Sequence, residues 1–178
     1  MKAIIYVHGK GGSYLEGEQY KKNCINYDIV GVDYNDYLPW IVQNQIKAVY
    51  ENLTLKYDHI LMIANSIGAY FAMHALQNCA IEKALLISPI VDMERLILDM
   101  IQWANVTEDE LCKKGQIPTE ILYAENDNLT SRATIDTFVV SHNANFTVMR
   151  DGEHWFHTND QIAFLDKWMK KVIEQSPV

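Results

Sequence analysis

Apolar residues along this chain fall into two alternating rhythms. Short runs rich in β-branched residues have the length and composition of strands: Ala3–Val7, Ile29–Asp33, His59–Ala64, Ala84–Ser88, Glu120–Ala124 and Phe146–Met149. Between them, apolar positions recur at helical spacing. A short helix is predicted near Leu15–Lys22; Val42, Ile46, Val49 and Leu53 share one helical face; Ile67–Asn78 reads as a helix of small and apolar residues. Ser131 is placed to cap a helix running to about Ser141, and a last helix from about Asp160 carries Leu165, Trp168, Met169 and Val172 on one face. Strands alternating with helices imply right-handed crossovers with helices on both faces of a sheet. Unbroken apolar runs fit strands covered on both sides. The expected fold class is α/β: a three-layer α/β/α sandwich around a mostly parallel sheet of about six strands.

The 178 residues suit a single domain, and no repeat, low-complexity tract or linker interrupts them. One stretch departs from the rhythm. Residues 91–118 hold two helical patterns with no strand between them, which reads as a small helical insertion. Leu96, Met100 and Trp103 lie at helical spacing within it. Two readings stand: a cap whose Met100 and Trp103 face substrate, or a stripe packed on the sheet.

Composition narrows the function. Apolar residues make up 49% of the chain, enough for a sizeable core, and the formal net charge of -8 argues against a nucleic-acid partner. Cys24, Cys79 and Cys112 form an odd set without paired spacing, which fits free thiols, a reducing compartment and a cytoplasmic protein. The run Ala3–Val7 is too short for a signal peptide or a membrane span.

Candidate chemistry begins at Ile63-Ala64-Asn65-Ser66-Ile67-Gly68, where a strand meets a helix. A sharp turn there lifts a serine hydroxyl clear of the sheet, and the helix N-terminus presents N–H groups to developing negative charge. Ala64 and Gly68 supply the small residues that such a turn needs two positions before and after the serine. The plainer reading is that Ser66 caps the helix.

The first strand runs into His8-Gly9-Lys10-Gly11-Gly12-Ser13. A phosphate loop is the competing reading, but G-x-x-x-x-G-K-[ST] and a full G-x-G-x-x-G are both absent. His-Gly and further glycines after a first parallel strand resemble the oxyanion-hole loop of the α/β-hydrolases, and A-x-S-x-G resembles their nucleophile elbow. The resemblance covers essentially the whole chain, from His8 to the closing helix, without the antiparallel pair that opens many larger members. It implies a compact α/β-hydrolase fold with Ser66 as nucleophile and the N–H groups of Lys10 and Ile67 as oxyanion donors. It also implies an acid after a late strand, met by Asp127 with Glu125 as rival, and a histidine after the last strand. His154 fills that place, with Gly152 and Phe156 around it and His157 as a second candidate. His8 is expected to hold its loop, and Gly9, Gly11 and Trp155 to lie beside substrate.

The implied activity is that of a serine hydrolase acting on a small-molecule acyl substrate, foremost a small carboxylic ester. Thioesters, amides and peptides use the same groups. The chemistry calls for no metal or organic cofactor. A non-catalytic binding protein on the same fold is the alternative. Tyr34, Tyr37 and Trp40 are candidates for a pocket wall, a partner surface or the core.

Overall fold

The structure is a computed structural model and describes residues 1–91 and 117–175. The insertion expected at 91–118, with Met100 and Trp103, therefore falls almost wholly outside the described residues, as does Cys112.

Strands β1 (Lys2–Val7), β2 (Asp28–Gly31), β3 (His59–Asn65), β4 (Lys83–Ile87), β5 (Thr119–Ala124) and β6 (Asn145–Met149) form one sheet in the order β2-β1-β3-β4-β5-β6. Every neighbouring pair is parallel. Helices α1 (Pro39–Thr54), α2 (Ile67–Ala75), α3 (Arg132–His142) and α4 (Asn159–Glu174), with a 3-10 helix at Tyr14–Tyr20, cover it.

Side-chain alternation along the strands builds two cores. Ala3, Ile5 and Val7 of β1 face Val42 and Ile46 of α1, Phe71 of α2 and Ile135 of α3. Ile4 and Tyr6 face the other way, joining Tyr20 with Leu165, Trp168 and Met169 of α4. Strands buried on both sides carry near-continuous apolar runs for this reason. Caps set the helix starts. Ser131 Oγ accepts the Thr134 N–H (3.1 Å), Thr158 Oγ1 accepts the Gln161 N–H (3.3 Å), and Pro39 opens α1, where an N–H would lack a partner.

The chain runs from β1 outwards to β2, then returns past β1 to β3. Loops leaving the carboxyl ends of β1 and β3 therefore diverge and open a crevice, the place where parallel α/β sheets hold ligands. The glycine loop of residues 8–13 and the turn at Ser66 flank that crevice.

Several element ends differ from the sequence pattern; α2, for one, stops at Ala75 rather than Asn78. The second strand stops at Gly31 rather than Asp33, although Val32 N–H still donates to Tyr6 O (2.8 Å). The fourth stops at Ile87 because Ser88 turns to φ 43, outside any strand geometry.

Gly31 is where the 3-10 helix closes on β2. A Cβ there would lie 2.1 Å from the Tyr14 carbonyl oxygen. Gly31→Ala is expected to lower stability by about 1–3 kcal/mol or more through forced displacement. Urea denaturation checks this; an unchanged midpoint would mean the 3-10 helix does not rest on β2.

Candidate active site

Ser66 occupies the turn between β3 and α2 at φ 52, ψ -125. A non-glycine residue in such a conformation stores about 1–3 kcal/mol of strain, so its surroundings must hold it. They do so from both sides: Ser66 N–H donates to Ile87 O (3.0 Å), and Ile90 N–H donates to Ser66 O (3.1 Å). Gly68 lets α2 begin against the first loop; a Cβ there would meet His8 O at 2.3 Å. Ser66 stands at the cap position of α2, yet its side chain makes no capping bond. The hydroxyl is directed to His154 instead, which disposes of the plain capping reading.

His154 Nε2 lies 2.9 Å from Ser66 Oγ, and His154 Nδ1 lies 2.8 Å from Asp127 Oδ2. The side chains of His154 and Asp127 are 2% and 0% exposed. A carboxylate only accepts, so Nδ1 carries the proton and Nε2 is left as acceptor for the serine hydroxyl. The other Asp127 oxygen, Oδ1, accepts the N–H groups of Leu129 (2.8 Å) and Thr130 (3.1 Å). Asp127 thus forms a local Asx turn and orients the histidine at once. Glu125 does different work: its Oε2 accepts the Asp151 N–H (3.0 Å), and Asn126 N–H donates to Gly152 O (2.8 Å), so the loops after β5 and β6 are laced together. His157 is exposed and its Nδ1 lies 2.7 Å from Trp155 O; it makes no bond to Ser66.

The loop after β1 is held from beneath. Gly12 N–H donates to Gly9 O (3.1 Å), closing a tight turn with Gly11 at φ 76. Tyr37 OH accepts the Gly11 N–H (2.8 Å). His8 is buried, with Nδ1 2.8 Å from Gly9 O and its ring stacked on Tyr34 at 4.0 Å. Tyr34 OH donates to the His8 carbonyl. Ile67 is the first residue of α2, so its N–H lies outside the helix's own hydrogen-bond ladder.

A cavity of about 550 Å3 opens over these groups and is bordered by Gly9, Lys10, Gly11, Ser66, His154 and Trp155. Trp155 is 60% exposed at its rim, edge-on to His154. Trp40 is exposed and takes no part in the lining, whereas Tyr34 and Tyr37 pack beneath the glycine loop.

One wall of the cavity is polar and went unrecognised in the sequence. Asn65 Nδ2 donates to the Tyr6 and Tyr20 hydroxyls (3.1 Å each), and Tyr6 OH donates to Glu16 Oε2 (3.1 Å). The only signal for this network was Asn65 itself, a polar residue ending an apolar strand beside the candidate nucleophile. Cys24 and Cys79 are buried and free. Burial pushes their thiols up to about 12 and about 11, which keeps them unreactive near neutrality. Among the described residues no group of His, Cys, Asp and Glu is placed to hold a metal ion, and no helix is long and apolar enough to cross a membrane.

No family model and no curated protein matches the chain. Solved structures do. It is similar to an α/β serine hydrolase without lid from Xanthomonas campestris at 15% identity and a TM-score of 0.77, covering 99% of this chain and 83% of that one. An alpha-beta serine hydrolase homologue from Coxiella burnetii aligns at 17% identity, TM-score 0.74, over 97% and 84% of the two chains. An esterase from Pyrococcus furiosus aligns at 19% identity, TM-score 0.66, over 97% and 81%. The chain therefore has the α/β-hydrolase fold, and its structural neighbours include serine hydrolases and esterases of that superfamily.

The polar wall carries a pH signature. Burial pushes the Tyr20 phenol up to about 12, and burial above all raises Tyr6 and Tyr34 as well. Their ordinary value is about 10, so above it the unfolded chain loses these protons first. Stability is then full below about pH 10 and falls as pH climbs through about 12. Urea midpoints on either side of that window check this: the drop should shrink in Tyr20→Phe, and a drop of equal size in that variant would contradict the assignment.

Proposed function

We propose that this protein is a serine hydrolase that cleaves a small carboxylic ester through an acyl-enzyme on Ser66. The carrying observation is the Ser66–His154–Asp127 hydrogen-bonded chain, with links of 2.9 and 2.8 Å, buried beneath one cavity. Ser66 Oγ attacks the ester carbonyl carbon while His154 Nε2 takes the hydroxyl proton. The N–H groups of Lys10 and Ile67 receive the negative oxygen of the tetrahedral intermediate. That intermediate collapses, the C–O bond to the alcohol breaks, and His154 returns the proton to the departing oxygen. Water then repeats the sequence on the acyl-enzyme, releasing the acid and free Ser66.

The strained backbone at Ser66 favours this reading over a non-catalytic binding role. A serine needed only as a cap would be bonded to its helix, and Ser66 is not. A cavity of about 550 Å3 suits a small acyl substrate held beside Gly9, Gly11 and Trp155.

Ser66→Ala is expected to abolish both ester hydrolysis and labelling by a fluorophosphonate. Because no capping bond is lost, stability should change by no more than the roughly 1 kcal/mol of one hydrogen bond. Labelling that persists on another residue, with turnover intact, would overturn the reading.

Asp127→Asn should lower kcat by roughly ten-thousand-fold, since an amide presents the histidine with the wrong tautomer partner. Glu125→Gln should leave kcat within a few-fold and reduce stability slightly, because Glu125 braces the Asp151 backbone. Steady-state kinetics on both variants would refute the assignment of the acid if their ranking were reversed.

A further inference from the structure

Ser88 follows β4, immediately past the Ile87 carbonyl that holds the Ser66 N–H, and it borders the same cavity. Two independent features set it apart. Its backbone sits at φ 43, a region that favours glycine or asparagine. Its side chain is buried, with the residue 2% exposed, and among the described residues its hydroxyl has no hydrogen-bond partner. A buried hydroxyl without a partner is destabilising, and so is the backbone strain. Glycine would relieve both. Among the described residues, nothing local to Ser88 accounts for a hydroxyl here.

The position itself is tightly determined. Ser88 N–H donates to Leu122 O (2.8 Å), Ile90 N–H to Ser66 O (3.1 Å), and Thr130 Oγ1 to Pro89 O (3.2 Å). Thr130 N–H in turn holds Asp127. The Ser88 backbone is thus clamped between the nucleophile's strand and the acid's loop, and rotation about its single χ1 swings the hydroxyl relative to the cavity. Asn65, Tyr20 and Glu16 already make one wall of that cavity polar.

We propose that the Ser88 hydroxyl hydrogen-bonds an oxygen carried by the acyl or alcohol arm of the ester, so that oxygenated substrates bearing an ether or hydroxyl are preferred to hydrocarbon ones of the same shape. This rests on Ser66 as nucleophile. Ser88 is then a specificity residue whose unmet hydrogen bond is completed by the substrate.

The test uses the full chain and fluorophosphonates, in which Ser66 Oγ displaces fluoride from phosphorus. Two matched pairs are compared, 2-methoxyethyl against butyl, first with the group attached directly to phosphorus and then through an alkoxy oxygen. Each second-order inactivation rate is divided by the reagent's own hydroxide hydrolysis rate. In at least one pair the wild type should favour the ether by about 3- to 10-fold, the factor expected of one net hydrogen bond. Ser88→Ala should lose that preference, its ratio of ether to butyl rate falling towards 1. Ser88→Gly, which also relieves the backbone, should do the same and melt at a higher temperature than the wild type. No ether preference in the wild type, a preference retained in both variants, or an equal slowing of both reagents would each overturn the proposal while leaving Ser66 as nucleophile. Failure of every reagent to label Ser66 would remove the hydrolase reading and this proposal together.

Discussion

The 2.8 Å hydrogen bond between Asp127 Oδ2 and His154 Nδ1 joins two loops that leave neighbouring strands, and it is made with both side chains out of water. An isolated buried carboxylate is strongly unfavourable, so such a group must be surrounded by donors. Asp127 has three: His154 on one oxygen and the Leu129 and Thr130 N–H groups on the other. The requirement propagates outwards. Thr130 is held by its carbonyl, which accepts from Tyr123 OH (3.1 Å), and by its own hydroxyl on Pro89 O. The β6 loop is held by Glu125 and Asn126. An imidazole so fixed has one free nitrogen and one direction in which to use it, towards Ser66.

The parallel sheet makes this convergence possible. In a parallel arrangement every strand ends at the same edge, so the loops after β1, β3, β4, β5 and β6 share one neighbourhood although they span the chain from His8 to His157. The strand order adds the crevice between β1 and β3. Close approach of the loop after β1 to α2 depends on a glycine at position 68, where a side chain would enter the His8 carbonyl.

Much of this was legible in the residues. Six apolar runs and the intervening helical spacing reveal the strands and helices because burial on both faces leaves little room for polar positions, and the described sheet has those six strands. Ser66, Asp127 and His154 each follow a strand, so their convergence needs only the sheet's parallel sense. What could not be read depends on distances across the fold. Glu125 and Asp127 are equally acidic and two residues apart; only the turn after β5 decides which reaches the imidazole. Tyr34 and Tyr37 look like ordinary core aromatics until the glycine loop is seen resting on their hydroxyls. Ser88 looks like the last residue of a strand, because no local pattern announces a positive φ in a serine.

Strain is distributed unevenly, and its location is informative. Among the described residues four non-glycine positions have positive φ: Ser66, Ser88, Asn143 and Asp151. Asn143 has an ordinary explanation, since it ends α3 in the left-handed conformation that asparagine tolerates, and its N–H meets the last carbonyls of the helix. The other three lie along the carboxyl edge of the sheet, at the turn between β3 and α2, beside it after β4, and in the loop that leads to His154. At Asp151 and Ser66 the compensation is visible: Glu125 holds one backbone, and Ile87 and Ile90 hold the other. Ser88 has its backbone clamped in the same way, but its side chain carries a second penalty that no neighbour among the described residues offsets. Strain with a local remedy belongs to the architecture of the site. Strain joined to a hydrogen bond unmet among the described residues is what singles out Ser88 for the proposed substrate contact.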